Sequence, residues 1–256
     1  MAAILAGAEI EPGRLAAEVP EDWMQGRTVY GGLSAALAFE AARTAADDLP
    51  PLRSMQAAFV GPLSGRIEVR AEILRRGRSS AFVQADVRGE DGLGLRTNLL
   101  FSAVRDSTLD FEGLSAPPAP DPDQAEAAMK RSRANFFGNN FEYRHALPIT
   151  EQRTPAFLRW VRLVERDTLH PTSALLAVAD ALPPAAMAMM PTPGPVSTAN
   201  WTINLLTPEP TSRDGWWLMQ TRAEQVKGGF SSQSMAIWNR DGQPVATGMQ
   251  SVAIFV

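Results

Sequence analysis

The sequence contains no cysteine and only two histidines among its 256 residues. Without cysteine, the chain has no disulfide, no thiolate nucleophile and no zinc–thiolate or iron–sulfur site. Because His145 and His170 are the only imidazoles, a Ser–His–Asp triad and a metal site built on several histidines are nearly excluded. The sequence therefore predicts no metal ion and no cofactor, and a chemistry carried by carboxylate, hydroxyl and amide groups.

Charged residues are scarce as well. Asp, Glu, Lys and Arg make up 20% of the chain, below the typical share of about 25%. Apolar residues make up 45%, which is enough for a sizeable core and excludes intrinsic disorder. The net charge of −4 gives no electrostatic case for nucleic acid or an anionic membrane as a partner. No apolar run reaches the ~18 residues of a membrane span, and the N-terminus has no targeting pattern, so we expect a cytoplasmic protein.

The chain has two halves with the same order of signals. A proline-rich acidic stretch, APPAPDPD, predicts a linker over 113–144 between an N-terminal unit, 1–112, and a C-terminal unit, 145–256. In each half, a helix of small residues precedes alternating strands that are joined by glycine turns. The pairs Gly65–Gly92 and Gly215–Gly242 have the same spacing of 27 residues, which indicates an internal duplication.

The pattern of helices and strands predicts an α+β fold. The first helix, 31–46, contains only two charged residues, Glu40 and Arg43, so we expect it to be buried on most faces. The run 66–73 alternates strictly between apolar and charged residues, which is typical of a half-buried strand. In the second half, 172–190 is predicted as one helix or as two helical pieces divided by two prolines. A helix followed by antiparallel strands in each half predicts two sheets that curl around helices and join side by side.

Six short motifs occur in order along nearly the whole chain. They are WMQGRTVYGG (23–32), FVGP (59–62), LRRGRS (74–79), LLAVAD (175–180), STAN (197–200) and VATGMQ (245–250). As an ordered set, they resemble the motifs of the acyl-CoA thioesterase II (TesB-like) family. The resemblance implies a double hotdog fold, with two helix-wrapped antiparallel sheet units in one chain. It also implies hydrolysis of acyl-CoA to a free acid and CoA.

The resemblance further implies three catalytic residues. In that family an Asp, a Thr and a Gln hold and activate the hydrolytic water, and the matching positions here are Asp180, Thr198 and Gln250. Three neighbouring positions depart from the family pattern: Ala179 replaces a Ser, Asn200 an Asp, and Trp201 a His. These departures bear on substrate preference more than on the class of reaction.

Asp180 is conspicuous without the resemblance, because it is the only Asp, Glu, Lys or Arg between Asp167 and Glu209. A carboxylate on a buried helix is costly, and its pKa usually rises, which makes it a candidate for a functional site. Such a group can orient a water molecule and accept its proton as a general base. The alternative is that Asp180 lies at a helix end before Pro183 and faces water.

Thr198 and Gln250 are weaker candidates when each is taken alone. Thr198 can supply a hydroxyl for water or a carbonyl group, but threonine is common in strands for conformational reasons. Gln250 is polar in an otherwise apolar strand and can hold the same water, unless its side chain faces outward.

Two other groups are candidates for substrate binding. Gly31 and Gly32 open the first helix, where their amides could stabilise negative charge on a substrate carbonyl. Tight packing of the helix is the alternative explanation for these glycines. Arg75, Arg76 and Arg78 form the densest basic group and could bind the phosphates of CoA, or lie in a solvated turn.

The duplication provides an internal control. Alignment of the halves on Gly92 and Gly242 places Leu100 at the position of Gln250. Phe39 or Glu40 falls near the position of Asp180, and Ser54 falls near that of Thr198. Because the first half then has no counterpart of Gln250, we expect one active site per chain, in the C-terminal unit.

The residues leave two other functions as alternatives. A hotdog enoyl-CoA hydratase or dehydratase would use an Asp and a His at a set spacing, which Asp167 and His170 fit poorly. A non-catalytic protein that binds acyl-CoA or lipid is the second alternative. The expected partner is an acyl-CoA substrate of open chain length, and exposed sheet edges also favour a homodimer.

Overall fold

One large antiparallel sheet dominates the structure, a computed structural model that describes residues 1–128, 135–147, 154–192 and 194–256. The strands are β1 (Glu9–Glu11), β2 (Arg14–Glu18), β3 (Met24–Gln25), β4 (Thr28–Val29), β5 (Leu52–Phe59), β6 (Arg66–Arg76), β7 (Ser80–Gly89), β8 (Gly92–Ser102), β9 (Phe141–His145), β10 (Ala156–Leu163), β11 (Val196–Leu205), β12 (Trp217–Lys227), β13 (Phe230–Asn239) and β14 (Pro244–Ile254). Within the described ranges, twelve strands form the large sheet in the order β1-β2-β6-β7-β8-β5-β11-β14-β13-β12-β10-β9, and β3 pairs only with β4.

Three α-helices and four short 3₁₀ helices accompany these strands in the described ranges. The α-helices are α1 (Ala2–Ala6), α2 (Gly31–Arg43) and α3 (Pro171–Ala179), and the 3₁₀ helices are Glu21–Trp23, Phe137–Asn140, Ala185–Met189 and Arg213–Gly215. None of the helices in these ranges has the length and apolar character needed to cross a membrane.

The first predicted helix is confirmed, and it ends three residues earlier than expected, at Arg43. Every residue from 32 to 42 is buried, because the sheet encloses a helix whose side chains are almost all small or apolar. The second predicted helix is divided in two, which confirms the alternative of two helical pieces. Pro183 and Pro184 separate α3 from the 3₁₀ helix Ala185–Met189, since proline lacks an amide hydrogen and obstructs the preceding turn.

The two halves meet in the middle of the sheet. β5 of the first half pairs with β11 of the second in antiparallel fashion, with Gln56 opposite Thr202. α2 and α3 pack against each other, and α2 also contacts β6, β7 and β8. The expected continuous sheet is therefore confirmed, and the contact between α2 and α3 brings an end of each helix close to the other half.

The proline-rich stretch is anchored on the sheet of the second half. Its residues Leu114, Ala116 and Ala119 pack against a buried cluster that includes Trp160 and Trp238. The indole N–H of Trp160 donates to the carbonyl of Pro120 (2.9 Å), and that of Trp238 donates to the carbonyl of Leu114 (3.1 Å). The stretch is thus held by specific donors.

The later part of the predicted linker also differs from an extended connection. Strand β9, which lies almost entirely within 113–144, forms the last strand of the sheet beside β10. The alternation of Phe141 and Tyr143, both buried, with intermediate Glu142 and Arg144 explains why this segment forms a strand.

Candidate active site

A cavity of about 590 Å³ lies where the start of α2 meets the segment that follows α3 and the strands β11 and β14. Asp180, Thr198 and Gln250 all line it, together with Gly31. These residues come from three distant parts of the chain. The structure therefore brings the three predicted catalytic residues and one predicted substrate-binding glycine to a single cavity.

Asp180 directly follows the last residue of α3 and caps its C-terminal end. The sequence alternative placed it at a helix end, and that part of the interpretation is right. Its carboxylate, however, faces the first turn of α2 at the cavity wall. A side-chain carbon built on Gly31 would lie 2.7 Å from Oδ2 of Asp180, so glycine is needed there to leave room for the carboxylate.

Gln250 lies on the inner face of β14 with only 6% of its surface exposed. Its Nε2 donates to Oδ1 of Asp180 at 2.8 Å. The side chain therefore points inward, and the alternative of an outward-facing glutamine is wrong. The contact links a strand near the C-terminus to the end of α3.

Thr198 owes its position to an irregularity in β11. The pairing of β11 with β14 shifts register between Thr198 and Asn200, so that Thr198 lies opposite Val252. A bulge of this kind redirects side chains relative to the regular alternation of a strand. Thr198 has a place on the cavity wall, which Asp180 also lines.

The residues that depart from the family pattern lie outside the cavity lining. Ala179 is buried, and Asn200 is exposed. Trp201 is fully buried, and its indole N–H donates to the sulfur of Met235 at 3.0 Å. Trp201 therefore fills the core beneath β11.

Burial raises the pKa of Asp180 to about 7. Two neutral donors oppose this effect and lower the pKa, the side-chain amide of Gln250 and the backbone N–H of Gly32. A carboxyl group with a pKa near neutrality can change between its protonated and ionised forms during a reaction at that pH.

Two buried tyrosines that sequence reasoning missed flank the end of α3. The hydroxyl of Tyr30 donates to the carbonyl of Ala177 (2.8 Å), and that of Tyr143 donates to the carbonyl of Ala181 (3.2 Å). Burial, reinforced by the negative charge of Asp180, raises the pKa of both phenols, so they are neutral. They fix the backbone on either side of Asp180 without adding charge to the site.

Gly32 serves packing as well as hydrogen bonding. A side-chain carbon at this position would lie 2.6 Å from the hydroxyl oxygen of Tyr30 and 2.7 Å from the carbonyl oxygen of Ala177. The tight-packing explanation therefore applies to Gly32. The backbone N–H of Gly32 is directed to Asp180, whereas Gly31 lines the cavity itself.

The three predicted arginines are not brought to this cavity. Arg75 and Arg76 end β6, and Arg78 lies in the turn to β7; Arg76 forms an ion pair with Asp48 at 2.8 Å. Asp48 follows the C-terminal end of α2, and the cavity adjoins its N-terminal end, about 20 Å away for a helix of this length. Arg27 is the one cation among the described residues that line the cavity, and its side chain is exposed.

Both histidines have structural contacts elsewhere. His170 caps the N-terminal end of α3, where its Nδ1 accepts from the backbone N–H of Thr172 at 3.2 Å. Nδ1 of His145 lies 2.7 Å from Nη1 of Arg159. In the described parts of the chain, no three Asp, Glu or His side chains form a group that could hold a metal ion.

The strand registers correct the alignment of the two halves. Gln250 lies opposite Trp201 and Gln233. In the first half, the residue in the matching place is Leu99, which lies opposite Met55 and Val83. The glycine alignment selected Leu100 instead. That alignment is wrong by one residue, because the two hairpins differ in register at their turns.

The other two counterparts follow from the same comparison. Leu52 corresponds to Thr198, since each immediately precedes the register shift of its strand, so the expectation of Ser54 is wrong by two residues. Glu40, one of the two residues expected there, corresponds to Asp180, because each lies near the end of one central helix and faces the first turn of the other.

Several solved structures have a similar fold. A hot dog fold protein of unknown function from Alicyclobacillus acidocaldarius has a TM-score of 0.84 at 19% identity, with 97% of this chain and 96% of that chain covered. The tesB protein of Mycobacterium avium subspecies paratuberculosis has a TM-score of 0.80 at 18% identity, with 100% and 99% covered. Acyl-CoA thioesterase II from Mycobacterium marinum has a TM-score of 0.75 at 15% identity, with 96% and 94% covered. These likenesses show the hotdog fold.

Sequence profiles assign the family. The profile of the acyl-CoA thioesterase C-terminal domain matches residues 112–254, and that of the acyl-CoA thioesterase N-terminal domain matches residues 19–104. No match to this sequence was found among curated proteins. The two profiles follow each other in order along the chain, and the C-terminal profile alone covers more than half of it. The resemblance is therefore confirmed, and the chain belongs to the acyl-CoA thioesterase family.

Proposed function

We propose that this thioesterase hydrolyses acyl-CoA in the cavity around Asp180, with Asp180 as the general base. The observation that carries the proposal is a carboxylate with a pKa of about 7 at the wall of a 590 Å³ cavity, held by a buried amide at 2.8 Å. A general base is most effective when its pKa lies near the working pH, where it contributes typically 10²–10⁴-fold.

The reaction needs no stronger nucleophile than water. A thioester carbonyl is electrophilic and a thiolate is a good leaving group, so Asp180 needs only to orient a water molecule and accept its proton as the water oxygen bonds to the carbonyl carbon. The tetrahedral intermediate then expels the CoA thiolate, which takes the proton from Asp180. Free acid and CoA leave, and the carboxylate is regenerated.

Four other residues have proposed roles. Gln250 holds Asp180, and Thr198 offers a hydroxyl to the water or the carbonyl group. Gly31 opens α2, and the positive end of this helix is suited to the negative charge that develops on the carbonyl oxygen. Arg27 is placed to attract a phosphate group of CoA, a role that the position of Arg75, Arg76 and Arg78 at the far end of α2 does not support for this cavity.

A hydratase on the same fold is a weaker alternative. Its mechanism would pair an Asp with a His, and both imidazoles have other contacts away from Asp180. A non-catalytic acyl-CoA-binding protein is disfavoured by the pKa of Asp180, since simple binding of an acyl chain has no use for a base.

The finer features of the chain belong to the same proposal. We infer a double hotdog from the two enclosed helices and the shared sheet, with units 1–112 and 145–256. Strand β9, most of which lies in the connection 113–144, then belongs to the second unit, because it pairs with β10. A cytoplasmic location, a homodimer and a role in lipid metabolism stay predictions.

The test is release of free thiol from acyl-CoAs of graded chain length, measured for the wild type and for Asp180→Asn. We expect hydrolysis by the wild type and its loss in the variant. Hydration of crotonyl-CoA without thiol release would favour the hydratase. A rise in melting temperature with acyl-CoA, without hydrolysis of any chain length, would favour the binding protein.

A further inference from the structure

A second glutamine lies directly behind Gln250. Gln233 is on the inner face of β13, opposite Gln250 of β14, and only 1% of its surface is exposed. Its Nε2 donates to Oε1 of Gln250 at 2.5 Å, and its Oε1 accepts from the backbone N–H of Ala185 at 2.7 Å. Gln233 does not line the cavity, so the proposed reaction gives it no direct part.

The chain of contacts has one possible direction. The backbone N–H of Ala185 can only donate, so the group of Gln233 that faces it must be the oxygen. The nitrogen of Gln233 then faces Gln250 and must meet an acceptor, which is the oxygen of Gln250. The nitrogen of Gln250 is therefore the group that faces Asp180. One backbone amide in the 3₁₀ helix Ala185–Met189 thus sets the orientation of two side chains.

We propose that Gln233 is a positioning residue for hydrolysis, because it holds the Gln250 amide with its nitrogen toward Asp180. This inference rests on the proposed function of Asp180 and Gln250. Without Gln233, the amide of Gln250 is free to turn over and direct its oxygen to the carboxylate. Two oxygens meet favourably there only when Asp180 is protonated, and a protonated Asp180 cannot accept a proton from water.

Little else near Asp180 would compensate for that loss, as far as the described ranges of the chain extend. The groups that face it are the start of α2 with Gly31 and Gly32, the amide of Gln250, and the phenols of Tyr30 and Tyr143. Both phenols are neutral and donate their protons to backbone carbonyls. The orientation of the Gln250 amide therefore controls one of the two donors that favour the ionised carboxylate.

The sequence also contains a signal for Gln233. Along β13, the inward positions 231, 233, 235 and 237 are Ser, Gln, Met and Ile. Glutamine in such a row is polar where an apolar residue is expected, which is the same argument that selected Gln250. What the row does not disclose is that the two glutamines face each other.

The experiment compares the pH dependence of kcat/KM in Gln233→Met and the wild type. Methionine keeps most of the side-chain volume and removes both polar contacts. We expect kcat/KM to fall about tenfold at pH 7, the loss expected for one hydrogen bond to a charged group. We also expect the acid limb of the profile to move to higher pH, so that the ratio of variant to wild type rises with pH.

Ser231→Ala is the matched control. Ser231 is buried on the same face of β13, and its hydroxyl has no hydrogen-bond partner among the described residues. This variant should keep the pH profile of the wild type. If Gln233→Met lowers the melting temperature but leaves the shape of the pH profile unchanged, the role of Gln233 is structural and the inference is wrong.

A double-mutant cycle tests whether Gln233 acts through Gln250. If it does, Gln233→Met combined with Gln250→Met should lose no more activity than Gln250→Met alone, because the shared interaction is lost only once. Additive losses would contradict the inference.

Gln233→Glu covers the case in which the methionine variant does not fold. A carboxylate keeps the contact with Ala185 but donates to Gln250 only when protonated, so the ratio of its kcat/KM to that of the wild type should fall with pH. A constant ratio would overturn the inference. Asp180→Asn separates the two levels, because wild-type activity in that variant would overturn the proposed site itself. An inactive Asp180→Asn beside unchanged pH profiles of the Gln233 variants would overturn only the role of Gln233.

Discussion

Each half of the chain places one carboxylate where its central helix meets the first turn of the other, and the two carboxylates have different partners. Glu40 is 3% exposed; it forms an ion pair with Arg43 at 2.6 Å and accepts a hydrogen bond from Ser173 of α3. Among the residues that the structure describes, Asp180 meets only neutral donors, Gln250 and the N–H of Gly32. Glu40 is therefore paired with a cation, whereas Asp180 is held by neutral amides in the described part of the chain. The same position thus supports structure in one half and, as we propose, catalysis in the other.

The surroundings of the two carboxylates differ in the same sense. Another cavity, of about 450 Å³, lies beside the end of α2, and its lining includes the apolar Leu52 as well as the polar Arg43 and His170. Leu52 and Leu99 occupy the places that Thr198 and Gln250 have in the second half. The first half therefore keeps the frame of the site but has leucines in the two places where the second half has Thr198 and Gln250, which supports one site per chain.

The comparison is tested most strongly by neutralising each carboxylate. We expect Asp180→Asn to lower kcat/KM by about 10²–10⁴-fold, the usual contribution of a general base. The matched variant Glu40→Gln should keep wild-type activity in the thiol-release assay. Equal losses in both variants would show that the effect is on folding, and melting temperatures measured beside the activities would detect it.

The pH dependence of activity and of stability should show opposite trends. Activity needs ionised Asp180, so kcat/KM should fall as the pH drops below about 7. Because the pKa of Asp180 is raised on folding, the folded state binds more protons than the unfolded state between its ordinary pKa and about 7, and stability contributed by this group falls as pH rises through that range.

Thermal unfolding of Asp180→Asn tests the stability part. The variant should gain melting temperature relative to the wild type at pH 8, and gain less at pH 5. Glu40→Gln should instead lose about 1 kcal/mol of stability, because it removes the charge that pairs with the half-exposed Arg43 and accepts from Ser173. A stabilising effect of Glu40→Gln at pH 8 would contradict the assigned difference between the two carboxylates.

The first turns of the two helices offer a smaller contrast. Gly31→Ala would place a carbon 2.7 Å from Oδ2 of Asp180, so the carboxylate must move, and we expect about a tenfold loss of kcat because a displacement of this size is costly to catalysis. Pro171 is the first residue of α3, and Pro171→Ala should leave kcat unchanged. Steady-state kinetics with one acyl-CoA measures both.

The smallest expected effect concerns the cations of the two ends of α2. Arg27→Met should raise KM for acyl-CoA about threefold at low salt, since an exposed ion pair contributes up to ~1 kcal/mol, and the difference should shrink as salt is added. Arg76→Met should not change KM. A larger effect of Arg76→Met than of Arg27→Met would indicate that the CoA phosphates bind at the β6–β7 turn.

Local patterns in the sequence predict the elements well. The alternating residues 66–73 form a strand, and the run of small residues after Tyr30 forms an enclosed helix. Both can be predicted because the order of apolar and polar residues indicates which face of an element is buried. Asp180 is conspicuous for the same reason, as the one charge in a long uncharged stretch. The repeat of glycine turns also indicates two halves before any coordinate is known.

What only the tertiary structure decided are the contacts between distant segments. The sequence shows Gln250 as polar on an apolar strand, but only strand register places it against Gln233 and only the packing of α3 places it against Asp180. A shift of one residue in a hairpin moves the counterpart of Gln250 from Leu100 to Leu99, and so from the outer to the inner face. Residue types and their local order thus determined which groups this protein has for chemistry, whereas register and packing, which depend on the whole sheet, decided which of them meet.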